Sequence, residues 1–255
     1  MLKTIPQAVR ELCLAFPETE ETTSHGKPDY KVGGKSFAHF TVNHHGDGHV
    51  ALWLRSPEGA QQHFVGLDPK TYFVPQYVGP RGWLGVELNR GVSWKEVAAR
   101  VREAWENAAP KSIASQLATT PNVAPPDARM KAEEVNPWLG KGPRQFLDKL
   151  RARCSRYPEV SEGESFGAPV WKAGKKTFAC AHCGSGTLKL QTWVGIEQQV
   201  MLIDDPRYTI PMYTGHNGWI DLEITGHANW DEIDSLLETS YRHFALQRML
   251  KELDR

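Results

Sequence analysis

The sequence has few cysteines, no net charge and no long apolar run. Four cysteines in 255 residues are too few for a disulfide framework. Thirty Lys and Arg balance thirty Asp and Glu, which argues against a strongly basic protein built to coat nucleic acid. No apolar run is long enough to cross a bilayer, and the N-terminus leads into a helical pattern instead of a signal peptide. We therefore expect a cytoplasmic protein with no membrane partner.

The signatures of several common enzyme classes are missing as well. The sequence contains no G-x-S-x-G nucleophile motif, no P-loop and no dinucleotide-binding fingerprint. No catalytic residue, metal ligand or cofactor is therefore assigned. The sequence indicates a non-enzymatic binding protein, and an enzyme is the less favoured alternative.

What the chain does contain is an internal repeat. Residues 77–83 (YVGPRGW) recur as residues 213–219 (YTGHNGW), with a proline two residues before each copy and a tryptophan eleven residues after each. Upstream matches are offset by 141 residues, as from Phe37 to Phe178, and downstream matches by 136, as from Trp83 to Trp219. Such self-similarity indicates a duplicated domain. We predict domains at 1–117 and 142–255, joined by a proline-containing linker at 118–141.

Each copy shows the pattern α-β(3)-α-β(2)-α. Thr4 and Gln7 have capping-box spacing before the first helix, and Ser93 begins the last helix of the first copy in the same way. Gly33-Gly34 predicts a tight hairpin turn. The acidic stretch at 18–26 is predicted to be turn-rich. Short connections between strands predict two α+β domains, each with a mainly antiparallel sheet covered by helices.

These features resemble the YjbR/MmcQ-like family. The first copy matches closely at 26–28 (GKP), 30–38 (YKVGGKSFA), 73–75 (FVP), 77–79 (YVG) and 82–83 (GW), and the second copy matches more loosely at 167–172 and 176–179. The resemblance implies an α+β sandwich similar in topology to secretion-chaperone-like folds. It also implies DNA binding, which the family is credited with through a "double-wing" interpretation of that fold. It brings no catalytic residues.

Lysines cluster on the first predicted hairpin of each copy. Alternating lysines on a hairpin can follow a phosphate backbone, and an arginine in a neighbouring turn can reach a base edge or another phosphate. The competing interpretation is an exposed sheet edge protected by lysine, which the neutral charge of the chain favours. The candidate nucleic-acid-binding residues are Lys27, Lys31, Lys35, Arg81, Lys172, Lys175 and Lys176. The expected partner is DNA, and the alternative is another protein that binds a sheet face or edge of a chaperone-like module.

A second possible site is the Cys180-x-x-Cys183 motif. Two thiolates at this spacing can share a zinc ion or form a redox pair. No second CxxC accompanies the motif, and a redox motif normally begins a helix, whereas this one ends a strand. We expect two inert cysteines.

Histidines and aromatic residues suggest two more interpretations. The histidines around the first hairpin could bind a divalent metal, although a solvated loop is the favoured interpretation; they are His39, His44, His45 and His49. The aromatic residues of the repeated turn could stack on bases or close a ligand cleft, but we expect the tryptophans to cover the sheet beneath the third helix. They are Tyr77, Trp83, Tyr213 and Trp219.

Overall fold

The computed structural model describes residues 2–184 and 186–255, which form two compact units, Met1–Val135 and Asn136–Arg255. The first unit consists of α1 (Ile5–Leu14), β1 (Thr19–Ser24), β2 (Lys27–Val32), β3 (Lys35–Val42), β4 (Val50–Leu54), α2 (Ala60–Leu67), β5 (Tyr72–Phe73), β6 (Leu84–Glu87), α3 (Trp94–Ala108), α4 (Lys111–Ala114) and α5 (Ala132–Val135). The second consists of α6 (Lys141–Cys154), β7 (Val160–Ser165), β8 (Ala168–Ala173), β9 (Lys176–Gly184), β10 (Thr187–Trp193), α7 (Ile196–Leu202), β11 (Tyr208–Thr209), β12 (Trp219–Glu223), α8 (Trp230–Phe244) and α9 (Gln247–Leu253). Short 3-10 helices occur at His44–Gly46, Gly79–Arg81, Pro137–Leu139 and Gly215–Asn217.

The two units repeat one sheet topology. Within the described ranges each sheet has six strands in the order β1-β2-β3-β4-β6-β5 or β7-β8-β9-β10-β12-β11, and every pair is antiparallel. This arrangement confirms the predicted α+β class and the duplication. The local signals also hold, because Thr4 forms its capping box with Gln7 and both residues of the Gly33-Gly34 turn have positive φ.

One strand in each unit was missed. The stretch predicted to be a turn at 18–26 contains β1, which pairs with β2 along all six of its residues. Its sequence, TEETTS, is polar, and none of its side chains is fully buried. An edge strand exposed on both sides lacks the apolar alternation that indicates a strand. The polar strand β7 in the second unit was not predicted, for the same reason.

A bulge in β3 settles the ambiguous register of that strand. Tyr30 pairs with Ala38 while Lys31 pairs with Ser36, so Phe37 is an extra residue between two pairs. Phe37 and Ala38 both join the main core beneath α1 and α3, and Ser36 and His39 both face the other side of the sheet. The second unit repeats the bulge at Phe178.

The opposite face of the first sheet carries a smaller apolar cluster of Ala51, Trp53, Val78 and Trp83. Trp83 is buried as predicted, but the prediction that it lies beneath the third helix is wrong. Strand alternation sends Leu52 and Leu54 towards α3 and Trp53 towards the other face. Trp83 packs with Trp53 on that second face.

The segment at 118–135 packs on the first unit. The Asp127 N–H donates to the Lys3 carbonyl at 2.9 Å, and the Met130 N–H donates to Asn89 Oδ1 at 2.7 Å. Trp138 packs against the core of the second unit. The predicted linker at 118–141 therefore includes residues that pack on one unit or the other, and its boundaries stay a prediction.

Candidate functional site

A polar cleft of about 490 Å³ opens on the second face of the first sheet. It is built from β3, the end of β4, the repeated turn and the C-terminal end of α3. Its lining residues are Ser36, His39, Arg55, Ser56, Val78, Arg81, Trp83 and Asn107. Arg81, His39 and Trp83 were singled out from the sequence, whereas Arg55 and Asn107 were not. A cleft of this volume is in the usual range for a small-molecule site.

Hydrogen bonds from Asn107 fix one wall of the cleft. Its Nδ2 donates to the carbonyls of Arg55 at 3.2 Å and Ser56 at 3.0 Å, which ties α3 to the end of β4. Opposite this wall, the imidazole of His39 stacks on Trp83 with ring centroids 4.9 Å apart. Two walls of the cleft are therefore held by contacts among its own residues.

The turn that carries Arg81 is held by a buried glutamine. Gln61 of α2 donates through Nε2 to the carbonyls of Gly79 at 2.8 Å and Trp83 at 2.5 Å. In the second unit, Gln199 of α7 donates to Gly215 and Trp219 at 2.9 and 2.6 Å. Buried carbonyls need such partners, and the repeated glutamine supplies them in both units.

The electrostatics of the cleft are dominated by two guanidiniums. Arg55 and Arg81 form no ion pair among the described residues, and no carboxylate lines the cleft. Asp29 lies behind the cleft wall, only 2% exposed, and accepts a hydrogen bond from Ser36 at 3.0 Å. Lys31 Nζ lies 3.4 Å from the same carboxylate, so these two charges offset each other.

His39 connects the buried carboxylate to the cleft. Its Nδ1 is 3.3 Å from Asp29 Oδ1, within ion-pair range, although the geometry does not give a hydrogen bond. Burial lowers the pKa of His39 below its usual value, and this effect exceeds the opposing attraction of Asp29. His39 is therefore mainly neutral at pH 7.

The hairpin lysines have different environments. The Lys27 amine contacts His44 Nδ1, and burial lowers the pKa of Lys27. Lys31 is paired with Asp29, whereas Lys35 is exposed at the hairpin turn. In the second unit Lys172 is half-buried, and Lys175 and Lys176 are exposed. The structure thus brings Lys31 and Arg81 close to His39, and Lys27 points to a separate contact.

The four histidines do not converge on one point. His39 stacks on Trp83, the edge of His44 meets Trp53, and His49 stacks on Phe73 while its Nδ1 contacts Glu87 at 2.6 Å. Among residues 2–184 and 186–255, no group of three His, Cys, Asp or Glu residues is placed to hold a metal ion. His44 and His45 do contact each other, with ring centroids 3.9 Å apart.

The cysteines of the CxxC motif lie within β9 and not at a helix terminus. Residues three apart on a regular strand face opposite sides, so Cys180 is buried in a small apolar cluster and Cys183 is only half-buried. Burial raises the pKa of Cys180 to about 12 and also raises the pKa of Cys183. This geometry suits neither a shared metal nor a thiolate pair.

The equivalent position in the second unit is filled by aromatic rings. Ala38 pairs with Leu54, and its counterpart Ala179 pairs with Thr192, so Leu54 and Thr192 occupy equivalent positions. The residues that follow them, Arg55 and Trp193, are therefore equivalent as well. The downstream offset of 136 residues matches Asn107 with His243 and Arg81 with Asn217. Trp193 stacks on His243 at a centroid distance of 3.4 Å and donates through Nε1 to the Asn217 carbonyl at 2.8 Å. The two copies have therefore diverged at the cleft.

Together the fold and the cleft define a tandem α+β protein with a cationic cleft in its first unit. The chain belongs to the YjbR family, whose model matches residues 14–107 and again residues 155–243. The two matches confirm the predicted tandem of YjbR-like domains. No curated protein and no solved structure matches the chain. None of the described helices combines the length and the apolarity needed to cross a membrane.

Proposed function

We propose that this protein is a non-enzymatic binding protein that holds a nucleic acid strand on the cleft face of its first unit. The observation that carries the proposal is the pair of arginines, Arg55 and Arg81, which line one cleft and have no carboxylate partner in the part of the chain that the structure describes. Guanidinium groups bind phosphate oxygens with two parallel hydrogen bonds, which makes arginine well suited to phosphate recognition. A neutral chain can bind nucleic acid in this way because the charge is local.

Lysines on the neighbouring hairpin extend this surface. Lys35 is exposed and has no ion-pair partner among residues 2–184 and 186–255, and Lys31 stands beside the cleft with its charge offset by Asp29. In this proposal Arg55 joins the residues expected from the sequence, which are Lys27, Lys31, Lys35 and Arg81 in the first unit, and Lys172, Lys175 and Lys176 on the corresponding hairpin of the second unit. We also propose a cytoplasmic location, which the four free thiols support.

Fluorescence anisotropy with labelled single-stranded and double-stranded DNA tests the proposal. We expect the logarithm of the binding constant to fall linearly with the logarithm of the salt concentration. The double variant Lys35→Glu, Arg81→Glu should bind about tenfold or more weakly, and each lost phosphate contact should reduce the salt slope by about one. Lys31→Glu is less suitable because it would place a second carboxylate against buried Asp29.

The matched control is Lys95→Glu, which reverses an exposed charge in the first turn of α3. Asn107 is near the other end of that helix, about 18 Å away at 1.5 Å per residue. This variant should bind like the unmodified protein if the cleft face is the site. The proposal fails if neither form of DNA binds at 50 mM salt, or if both variants weaken binding equally.

An exposed apolar face on α7 favours a second candidate function, a protein-interaction module. Ile196, Val200 and Met201 are 51%, 60% and 76% exposed, and Met212, in the turn after β11, is 85% exposed. Aligning Gln199 with Gln61 matches the three α7 residues with Glu58, Gln62 and His63 in the first unit. The second unit has thus acquired apolar residues at positions that are polar in the first, which is typical of an interaction surface.

Sedimentation over a range of protein concentrations tests this candidate for the case in which the partner is a second copy of the chain. The variant Val200→Gln, Met201→His copies the first unit and should abolish self-association without loss of thermal stability. A chain that remains monomeric at all concentrations contradicts a self-associating module.

A further inference from the structure

We infer that the cleft of the first unit binds a phosphate monoester: the phosphorylated end of a nucleic acid strand, or a free nucleoside monophosphate. The strand-end form rests on the proposed nucleic acid function. The mononucleotide form does not. Four features of the cleft support a monoester: its charge, its charged donors, its dimensions and its divergence from the second unit.

The charge of the cleft matches a dianion better than a single negative charge. Arg55 and Arg81 contribute two unpaired positive charges, and Lys31 offsets Asp29 behind the wall. His39 adds little charge at neutral pH because burial lowers its pKa. A phosphate monoester carries about −1.5 to −2 charges at pH 7, whereas each diester in a strand carries one. Each diester phosphate of a strand passing through the cleft would neutralise only one of the two positive charges of the cleft.

Among the described residues, the charged hydrogen-bond donors of the cleft that have no partner are the guanidiniums. The Ser36 hydroxyl donates to Asp29, and the Ser56 hydroxyl donates to the Leu54 carbonyl at 3.3 Å. The Asn107 amide group is engaged with two carbonyls of the chain. Recognition of an anion therefore depends on Arg55 and Arg81, whose five N–H groups each suit the oxygens of one terminal phosphate.

The dimensions of the cleft suit one phosphate group at the end of a strand more than a long strand. Its volume of about 490 Å³ lies near the lower end of the range for drug-sized ligands. Trp83 is only 7% exposed and is covered by His39, so it offers no open face for a base. The phosphate is thus the group that the cleft can recognise, and the sugar and base would extend outward.

The second unit supplies a natural comparison. Trp193 replaces Arg55 and Asn217 replaces Arg81, and the two replacements are hydrogen-bonded to each other. This unit has neither of the two charges and contains an indole where the first unit has a guanidinium. Binding of the monoester should therefore occur once per chain, and Arg81→Asn copies the second unit at one position.

The test compares one decameric oligodeoxynucleotide with a 5′-phosphate, a 3′-phosphate or hydroxyl ends, together with thymidine monophosphate and inorganic phosphate as separate probes. Calorimetric titration should give one site per chain. We expect one phosphorylated end to bind about tenfold or more tightly than the hydroxyl-ended strand. Arg55→Gln and Arg81→Asn should each abolish this difference, and each should also weaken the remaining salt-dependent binding of the hydroxyl-ended strand by the one phosphate contact that it removes.

Arg90→Gln is the matched control, because it removes one exposed arginine beyond the opposite end of β6. It should change neither the affinity for the phosphorylated strand nor the affinity for the hydroxyl-ended strand. Circular dichroism and thermal unfolding establish that each variant is folded. Arg81 is exposed, so Arg81→Asn keeps the test decisive if Arg55→Gln fails to fold.

The possible outcomes separate this inference from the proposed function. Equal affinity for phosphorylated and hydroxyl ends overturns the inference and leaves nucleic acid binding in place. Binding of thymidine monophosphate or inorganic phosphate, lost in both variants, supports the inference even if no oligonucleotide binds. If no probe binds, both proposals are refuted.

Discussion

Replacing Gln61 tests whether the buried glutamine holds the turn beside the cleft. Gln61→Leu keeps a similar volume and removes both hydrogen bonds from Nε2 to the carbonyls of Gly79 and Trp83. The Gly79 carbonyl still accepts the Gly82 N–H at 2.9 Å, so the larger penalty falls on the Trp83 carbonyl. About 1 kcal/mol for the bond lost at the Gly79 carbonyl, with about 1–3 kcal/mol for the orphaned Trp83 carbonyl, gives an expected loss of about 2–4 kcal/mol.

Urea unfolding followed by tryptophan fluorescence measures this loss. Gln199→Leu is the matched variant, because Gln199 makes the same two bonds in the second unit and is similarly buried. We expect the two losses of unfolding free energy to agree within about 1 kcal/mol, given the context dependence of single hydrogen bonds. A loss below about 0.5 kcal/mol in both variants, the range of ordinary surface substitutions, would refute the role assigned to the glutamines.

Gln61→Glu should destabilise the folded chain by an amount that depends on pH. An ionised carboxylate facing two carbonyl oxygens is unfavourable, whereas a protonated carboxyl can still donate to one of them. The pKa of the new carboxyl should therefore be higher in the folded chain than its unfolded value of about 4.3. The destabilisation relative to the unmodified protein should be smaller at pH 4 than at pH 7. A destabilisation that does not change with pH would contradict this reasoning.

Three further predictions concern other positions. Burial lowers the pKa of His44 to about 4, so the free energy of unfolding should fall as the pH drops from about 6.5 towards 4, and His44→Asn should flatten that dependence in pH-dependent urea titrations. The Ser240 hydroxyl accepts from the Trp193 N–H and donates to the Phe178 carbonyl, so Ser240→Ala should cost about 1–3 kcal/mol in the same assay. Cys183 should react with iodoacetamide faster than the three buried cysteines, which peptide mass spectrometry can measure.

The sequence predicted the parts of the fold that have a local or repeated signal. The capping box at Thr4, the Gly33-Gly34 turn and the duplication were all visible in the residues themselves. Strand β1 was not visible, because an exposed edge strand has no apolar face to reveal its period. The burial of Trp83 was predicted correctly, but its face was not, since the face depends on which strands become neighbours.

The cleft could be predicted only in part. Arg81 was found because it lies in the repeated turn, whereas Arg55 and Asn107 are 52 residues apart and meet only through tertiary packing. One signal was available: the offset of 136 matches Asn107 with His243, a change of residue type between otherwise similar copies. The identical pair Gln61 and Gln199 was a second signal, since a polar residue kept in both copies of a helix needs a buried partner.

The bulge at Phe37 means that the cleft is more vulnerable to a change in chain length than to a change in residue type. Ser36 and His39 share a face of the sheet only because one additional residue separates them. Removing a single codon there would restore strict alternation and turn one of the two side chains into the apolar interior. We therefore expect point substitutions to change the chemistry of the cleft while the spacing between these two positions stays constant.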